Sequence, residues 1–253
     1  MRKLFIYFLW TLLVVTVLSI ATAIYAINEG WIGYMPPIED LQNPINRYAT
    51  QIYSADGRII GTWNYNRENR ILVDYTKLSP SLVQALVATE DVRFYDHSGI
   101  DFYALGRAII KRGLMGQKSA GGGSTITQQL AKQLYSERAH STMERLLQKP
   151  IEWVIAVKLE RNYTKDEIIT MYLNYFDFLH NAVGIKTASD VYFSKEPKDL
   201  TVPEAATLIG LCKNPSYYNP VRNPERSRER RNVVLGQMLK YGYLSQADFD
   251  KYS

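Results

Sequence analysis

From Leu4 to Ile27 the chain carries no charged residue, and this run constrains the fold more than any other segment. A stretch of such length and polarity spans a bilayer as a helix. Arg2 and Lys3 precede it, and Glu29 is the first charge after it. Flanking cations stay on the cytoplasmic side. Residues 1–3 then form a cytoplasmic stub, residues 4–27 a single-pass anchor, and the rest lies outside the membrane. The alternative is a cleaved signal peptide, with Ala21-Thr22-Ala23 as the cleavage tripeptide. Apolar residues continue to Ile27, beyond a typical signal core, which favours a retained anchor.

With 253 residues and 46% hydrophobic content, there is enough chain for one large domain or two small ones beyond the anchor. A single cysteine excludes an internal disulfide. Cys212 ends the apolar run that starts at Ala205 and reads as a small core residue rather than a nucleophile. Three histidines and one cysteine exclude a His/Cys zinc site at ordinary spacing. The net charge of +5 suits a domain beside an anionic membrane surface better than one that binds nucleic acid.

Residues 28–75 read as a linker, with Pro36, Pro37 and Pro44. Within it, residues 48–65 alternate in polarity around Ala55-Asp56-Gly57-Arg58, a turn signal between two strands. Helical patterns follow from residue 76 to 253. Ser79-Pro80 is an N-cap with proline in the first turn, and Leu82, Leu86 and Val87 give that helix its apolar face. Further helices are expected at 102–113, 125–135, 142–161, 165–176, 203–212 and 225–241. Thr164 with Glu167 has capping-box spacing.

Two segments carry chemistry. The first, Ala120-Gly121-Gly122-Gly123-Ser124-Thr125, gives a loop backbone freedom to turn tightly and then opens a helix. Thr125 and Gln128 fit a capping box. Thr125, Gln129 and Lys132 fall at i, i+4 and i+7 on one helix face, apart from an apolar stripe of Ile126, Leu130 and Leu134. Hydroxyl, amide and ammonium at a helix N-terminus favour an anionic ligand, although a merely solvated face has the same pattern. The segment is no nucleotide P-loop, because no lysine closes the glycine loop. In the second segment, residues 88–101, Glu90 ends an apolar helix beside Leu86 and Val87. Such a wall disfavours the charged carboxylate and should raise its pKa, as a general base near neutral pH requires. Asp91, Asp96, His97 and Asp101 crowd the same turn. Taken alone, this turn reads first as a charged, solvated helix end with His97 as a structural cap.

The order of the segments adds a resemblance. Glu90-Asp91-x-x-Phe94-x-x-His97-x-Gly99-x-Asp101, then Gly122-Gly123-Ser124-Thr125-Ile126-Thr127-Gln128-Gln129-Leu130-x-Lys132, resembles the family 51 peptidoglycan glycosyltransferases. These domains occur in class A penicillin-binding proteins and monofunctional transglycosylases. Three further blocks match in order: Gln148-Lys149-Pro150-Ile151-Glu152, Lys165 to Asn174, and Arg230 to Leu235. Gln148 stands where the family has arginine, which removes one phosphate contact, and Pro150 falls inside an expected helix, where it can introduce a kink.

The resemblance implies a mainly α, lysozyme-like, two-lobed helical domain behind a transmembrane helix and a small β-hairpin. It also implies a processive polymerase in the bacterial cytoplasmic membrane that joins lipid II to a growing glycan strand and releases undecaprenyl pyrophosphate. Glu90 is then the base, and Glu152 orients the sugar or a lysine. Asp91, Phe94, His97, Ser124, Thr125, Gln128, Gln129, Lys132, Lys149 and Asn174 are the expected substrate contacts. The sequence requires no cofactor, although the family often places a divalent cation, Mg2+ or Mn2+, at the pyrophosphate. Membrane lipids and other cell-wall synthesis proteins are the expected partners. Arg230 and Arg231 read as structural or as headgroup contacts. Phe102 to Met115, with Arg107, Lys111 and Arg112, reads as a membrane-entering surface or as an ordinary core helix. The hairpin is similar to the stretch before this domain in class A proteins, which suggests that a transpeptidase domain follows. A glycan hydrolase could share the fold and one glutamate but has no use for the Lys/Gln face. An inactive scaffold would not need Glu90.

Overall fold

The computed structural model describes residues 2–37, 50–57, 59–63, 70–110, 122–136 and 141–253, and these are mainly helical. Helix α1 (Arg2–Asn28) is long and apolar enough to cross a membrane. Its hydroxyls are turned inward: Thr11, Thr16 and Thr22 donate to the carbonyls of Tyr7, Leu12 and Leu18 at 2.9, 2.8 and 2.8 Å. Such bonds hide a polar group that hydrocarbon would not tolerate. The C-terminal end of α1 is buried at Ala26 and Ile27. The turn after it presses Gly33 against Ile151, where a Cβ would lie 2.2 Å from Ile151 Cδ1.

Strands β1 (Thr50–Tyr53) and β2 (Ile59–Trp63) pair antiparallel, with Thr50 opposite Trp63 and a bulge between Ile52 and Tyr53. Gly57 closes the turn at φ +79°. Pro44, Arg58 and residues 48, 49, 64 and 65 lie outside the described residues.

Two helix groups share one apolar core. In the first, α2 (Pro80–Glu90) packs against α8 (Val202–Leu211) and α9 (Pro224–Lys240). Ser79 caps α2 by accepting from the Leu82 N–H at 3.2 Å, and Leu82, Ala85, Leu86 and Val87 fill the interior. In the second, α4 (Ile126–Tyr135) packs against α5 (Thr142–Asn162) and α6 (Lys165–Tyr175). Ile126, Leu130, Ile155, Leu159, Ile169 and Tyr172 are among its fully buried side chains. The short α3 (Phe102–Ile109) precedes α4, and α7 (Ile185–Phe193) and α10 (Gln246–Tyr252) complete the order.

Several expectations need correction. Helix α3 is described over Phe102–Ile109, and residues 111–113 of the expected helix, with Lys111 and Arg112, lie outside the described residues, as does Met115. The Thr125 capping box is half made. Thr125 accepts from the Gln128 N–H at 3.1 Å, but the Gln128 amide turns away to Gly99. The Thr164–Glu167 box is complete. Helix α5 runs on through Pro150, which has no N–H to offer the carbonyl four residues earlier. Helix α7 was not anticipated. It starts at Gly184, at φ +83° and without a side-chain cap, so no start signal marks it.

Candidate active site

Between the two helix groups lies a cleft of about 850 Å³. Glu90, the last residue of α2, faces into it. The Gln129 amide Nε2 donates to Glu90 Oε2 at 2.9 Å. The Arg230 guanidinium stands 3.8 Å from Oε1, and both side chains are 14% exposed. Helix α2 therefore supplies the carboxylate, α4 a fixed N–H donor and α9 a cation.

Asp91 is turned towards the N-terminus of α4. Its carboxylate accepts from the Ile126 N–H at 3.0 Å and meets His97 Nε2 at 3.0 and 3.1 Å. His97 Nδ1 accepts from the Gly99 N–H at 3.2 Å, which assigns the proton to Nε2 and makes it a donor to Asp91. A buried carboxylate in the first turn of a helix also faces the positive end of its dipole. Asp91 and His97 thus dock α4 against the end of α2. Phe94 is fully buried, edge-on to His97 with the Lys165 ammonium 4.2 Å above its ring.

The Gly99 carbonyl accepts from the Thr125 hydroxyl at 2.7 Å and the Gln128 amide at 3.1 Å. Gly99 has φ +92°, and a Cβ there would sit 2.9 Å from the Ala156 backbone. The turn it makes is open only to glycine. Thr125 and Gln128 accordingly fix the loop, with the Thr125 hydroxyl and the Gln128 amide N–H bonded inside the protein. Asn174 is also buried. It donates to Val73 O at 2.9 Å and accepts from Val73 N–H at 3.2 Å, which ties α6 to the chain entering the domain.

Lys132 lines the cleft. Burial, then the charge of Arg145 and, more weakly, Lys149, push its pKa down, against an upward pull from Glu152. Lys149 also lines the cleft, 3.5 Å from the Ser124 hydroxyl and paired with Glu152 one helical turn on. Glu152 is 1% exposed and stands behind Lys149, so its visible contact is with the lysine. Of the residues expected at the site, Glu90, Asp91, Ser124, Gln128, Gln129, Lys132 and Lys149 line the cleft. Phe94, His97, Thr125, Glu152 and Asn174 support it from behind.

The cleft also contains cations that were not expected at the site, although the sequence marks Arg107 for a membrane surface or core helix and Arg230 for structure or a headgroup. Arg107, Arg145, Lys213, Arg230 and Lys240 join Lys132 and Lys149, against the two carboxylates of Glu90 and Asp91. Arg230 had a readable signal: it lies four residues before Val234 and three after Ser227, both buried on α9, and an arginine on the buried stripe of a helix needs an anionic partner or a cleft. Gly210 makes room for it, since a Cβ there would lie 3.2 Å from Arg230 Cγ. Arg231 turns aside and donates to Asn232 Oδ1. Cys212 ends α8 with its thiol towards Leu208 O at 3.7 Å. Burial, and then the Glu90 carboxylate, push that thiol far up, so it stays protonated and is no nucleophile.

Among the described residues no group of three or more His, Cys, Asp or Glu side chains could hold a metal ion. Of the two cleft carboxylates, Asp91 is occupied by His97 and the Ile126 N–H. Among the described residues, the side chains lining the cleft do not build a divalent-cation site.

A family model described as transglycosylase matches residues 56–239. Penicillin-binding protein 1F of Bacillus subtilis (strain 168) is 45% identical over 178 residues, which is 70% of this chain and 24% of that protein. Penicillin-binding protein 1A of Escherichia coli (strain K12) is 38% identical over 247 residues, 98% of this chain and 28% of that protein. The chain thus spans about a quarter of the length of these relatives. A crystal structure of penicillin-binding protein 1A from Haemophilus influenzae overlaps 81% of this chain and 20% of that one, at 26% identity and a TM-score of 0.45. On the extent of the family match and of the sequence identity, this chain belongs to the transglycosylase family.

Proposed function

We propose that the chain is a peptidoglycan glycosyltransferase that polymerises lipid II into β-1,4-linked glycan strands, with α1 holding the domain at the outer face of the cytoplasmic membrane. The observation that carries this reading is a carboxylate, Glu90, facing a cleft that seven Lys and Arg side chains line, while the other cleft carboxylate, Asp91, is paired internally. Glu90 takes the proton from the 4-hydroxyl of the acceptor N-acetylglucosamine. The oxygen attacks the anomeric carbon of the donor N-acetylmuramic acid from the face opposite the leaving group. The bond to the pyrophosphate breaks, configuration inverts and undecaprenyl pyrophosphate departs.

Two negatively charged lipids must lie close together for this chemistry, and the cleft has two cation groups. Lys132, Arg145 and Lys149 on α4 and α5 face the leaving pyrophosphate, where fixed positive charge lowers the barrier most. Lys213, just after α8, and Arg230 and Lys240 on α9 face the pyrophosphate of the incoming acceptor. Glu152 acts by holding Lys149 in place. These side chains supply the positive charge. A glycan hydrolase has no pyrophosphate to neutralise and no need of either group. Purified lipid II in detergent provides the test. The wild type should convert it to glycan strands and Glu90→Gln should not. A wild type that only cleaves preformed strands would overturn the reading.

A further inference from the structure

Gln129 lies between two partners that together determine its orientation. Glu90 is an acceptor, so it needs the amide N–H group on its side, and Nε2 donates to Oε2 at 2.9 Å. The amide oxygen then faces Tyr172 on α6, whose hydroxyl donates to Oε1 at 3.1 Å. Tyr172 is fully buried and reaches no cleft surface. We infer that Tyr172 is a positioning residue for the transfer: through Gln129 it fixes the Glu90 carboxylate, so that Oε2 is held and Oε1 is the oxygen that takes the acceptor's proton.

Gln129 is in contact at both ends and therefore acts as a rigid strut rather than a ligand for phosphate. Without the Tyr172 hydroxyl the amide is anchored only at its Glu90 end, so it can pivot with the carboxylate and no longer fixes the position of Oε2. Burial, and then the neighbouring Cys212 and Glu90, hold the phenol of Tyr172 far above its ordinary range, so it remains a donor wherever the enzyme can work. The geometry also orders the two carboxylate oxygens. Oε2 is hydrogen-bonded, while Oε1 is 3.8 Å from Arg230 and keeps a lone pair for the proton.

This inference rests on the polymerase reading, and the experiment separates the two. Rates of lipid II polymerisation are measured for the wild type, Glu90→Gln, Tyr172→Phe, Gln129→Leu and the Tyr172→Phe/Gln129→Leu double variant, each with its melting midpoint. Tyr172→Phe should lower kcat roughly ten- to a hundredfold, the scale of a misplaced reacting group, and leave KM within about twofold. Gln129→Leu should do the same. Adding Tyr172→Phe to Gln129→Leu should change kcat by less than about twofold, because the tyrosine acts only through the amide. Multiplying effects in the double variant, or a raised KM with intact kcat, would overturn the positioning role. So would a wild-type rate in Tyr172→Phe while Glu90→Gln is dead. If Tyr172→Phe does not fold, Gln129→Leu decides alone, and an unchanged kcat there overturns the inference. A wild type that forms no glycan from lipid II removes both the polymerase reading and this one.

Discussion

The two walls of the cleft are built differently. On the α4–α5 wall, local rules position the cations. Lys132 follows Thr125 by two helical turns, and Lys149 is paired with Glu152 within the same helix. On the α8–α9 wall, tertiary packing positions them. Arg230 arrives at Glu90 only because Gly210 lets α9 approach α8 closely, and its guanidinium is held by no residue of its own helix. The first wall is preassembled charge with a buried counterion, whereas the second is a cation brought to the base by the packing of two helices.

The strongest way to test this comparison is to remove the base that both walls serve. Glu90→Gln keeps the volume and the hydrogen bonding but cannot take a proton. Polymerisation should fall by about two to four powers of ten with the melting midpoint unchanged. A near wild-type rate would leave the walls without a shared centre and return attention to Asp91.

Next in size is Lys132→Ala. Because Lys132 is on the polar stripe and its charge is already disfavoured by burial, its loss should lower polymerisation by roughly ten- to a hundredfold, the scale of one electrostatic contact to a developing charge. The midpoint should not fall. A steep drop in midpoint with activity per folded molecule intact would make the α4–α5 wall structural.

Arg230→Ala probes the other wall. It should lower the rate about tenfold and raise KM for lipid II more than Lys132→Ala does, since this wall is assigned to the incoming substrate. Arg230→Lys should recover only part, because the ammonium lacks the guanidinium's reach and fork. Equal KM effects from Lys132→Ala and Arg230→Ala would erase the distinction between the walls.

The smallest effect is in pH. Burial first, then Arg145, lower the Lys132 pKa in the folded protein. The unfolded chain therefore keeps that proton to higher pH. Between the lowered value and 10.5 the unfolded state binds more protons, so stability rises with pH through that window and the lysine is a liability below it. Lys132→Met should raise the melting midpoint at neutral pH, and the gain should shrink as pH climbs towards the ordinary lysine value. A lower midpoint at neutral pH would mean that the wall is not self-repelling.

The sequence revealed these walls unequally, for a physical reason. Lys132, Lys149 and Glu90 were legible because helix periodicity and capping act over a few residues. Arg230 was marked by its block but read as structural or as a headgroup contact, because its neighbours in sequence do not show that it reaches Glu90. The buried positions Val234 and Leu235 further along α9 hint that it turns inward. Lys213 and Lys240 follow from how helices pack, and no local pattern encodes that. Phe94, Thr125 and Asn174 were identified as important residues but expected in contact with substrate. Motif spacing does not distinguish a side chain that meets a ligand from one that braces the loop behind it.

The Gly99 carbonyl has a consequence for motion. One oxygen receives both the Thr125 hydroxyl and the Gln128 amide, and the same turn rests on the Ala156 backbone of α5. The start of α4, the loop after α2 and the middle of α5 can therefore open only together. In hydrogen exchange the amides of Gly99, Ile126 and Gln128 should form one cooperative unit with a common opening free energy. Substrate would then meet a cleft floor that is either wholly formed or wholly absent.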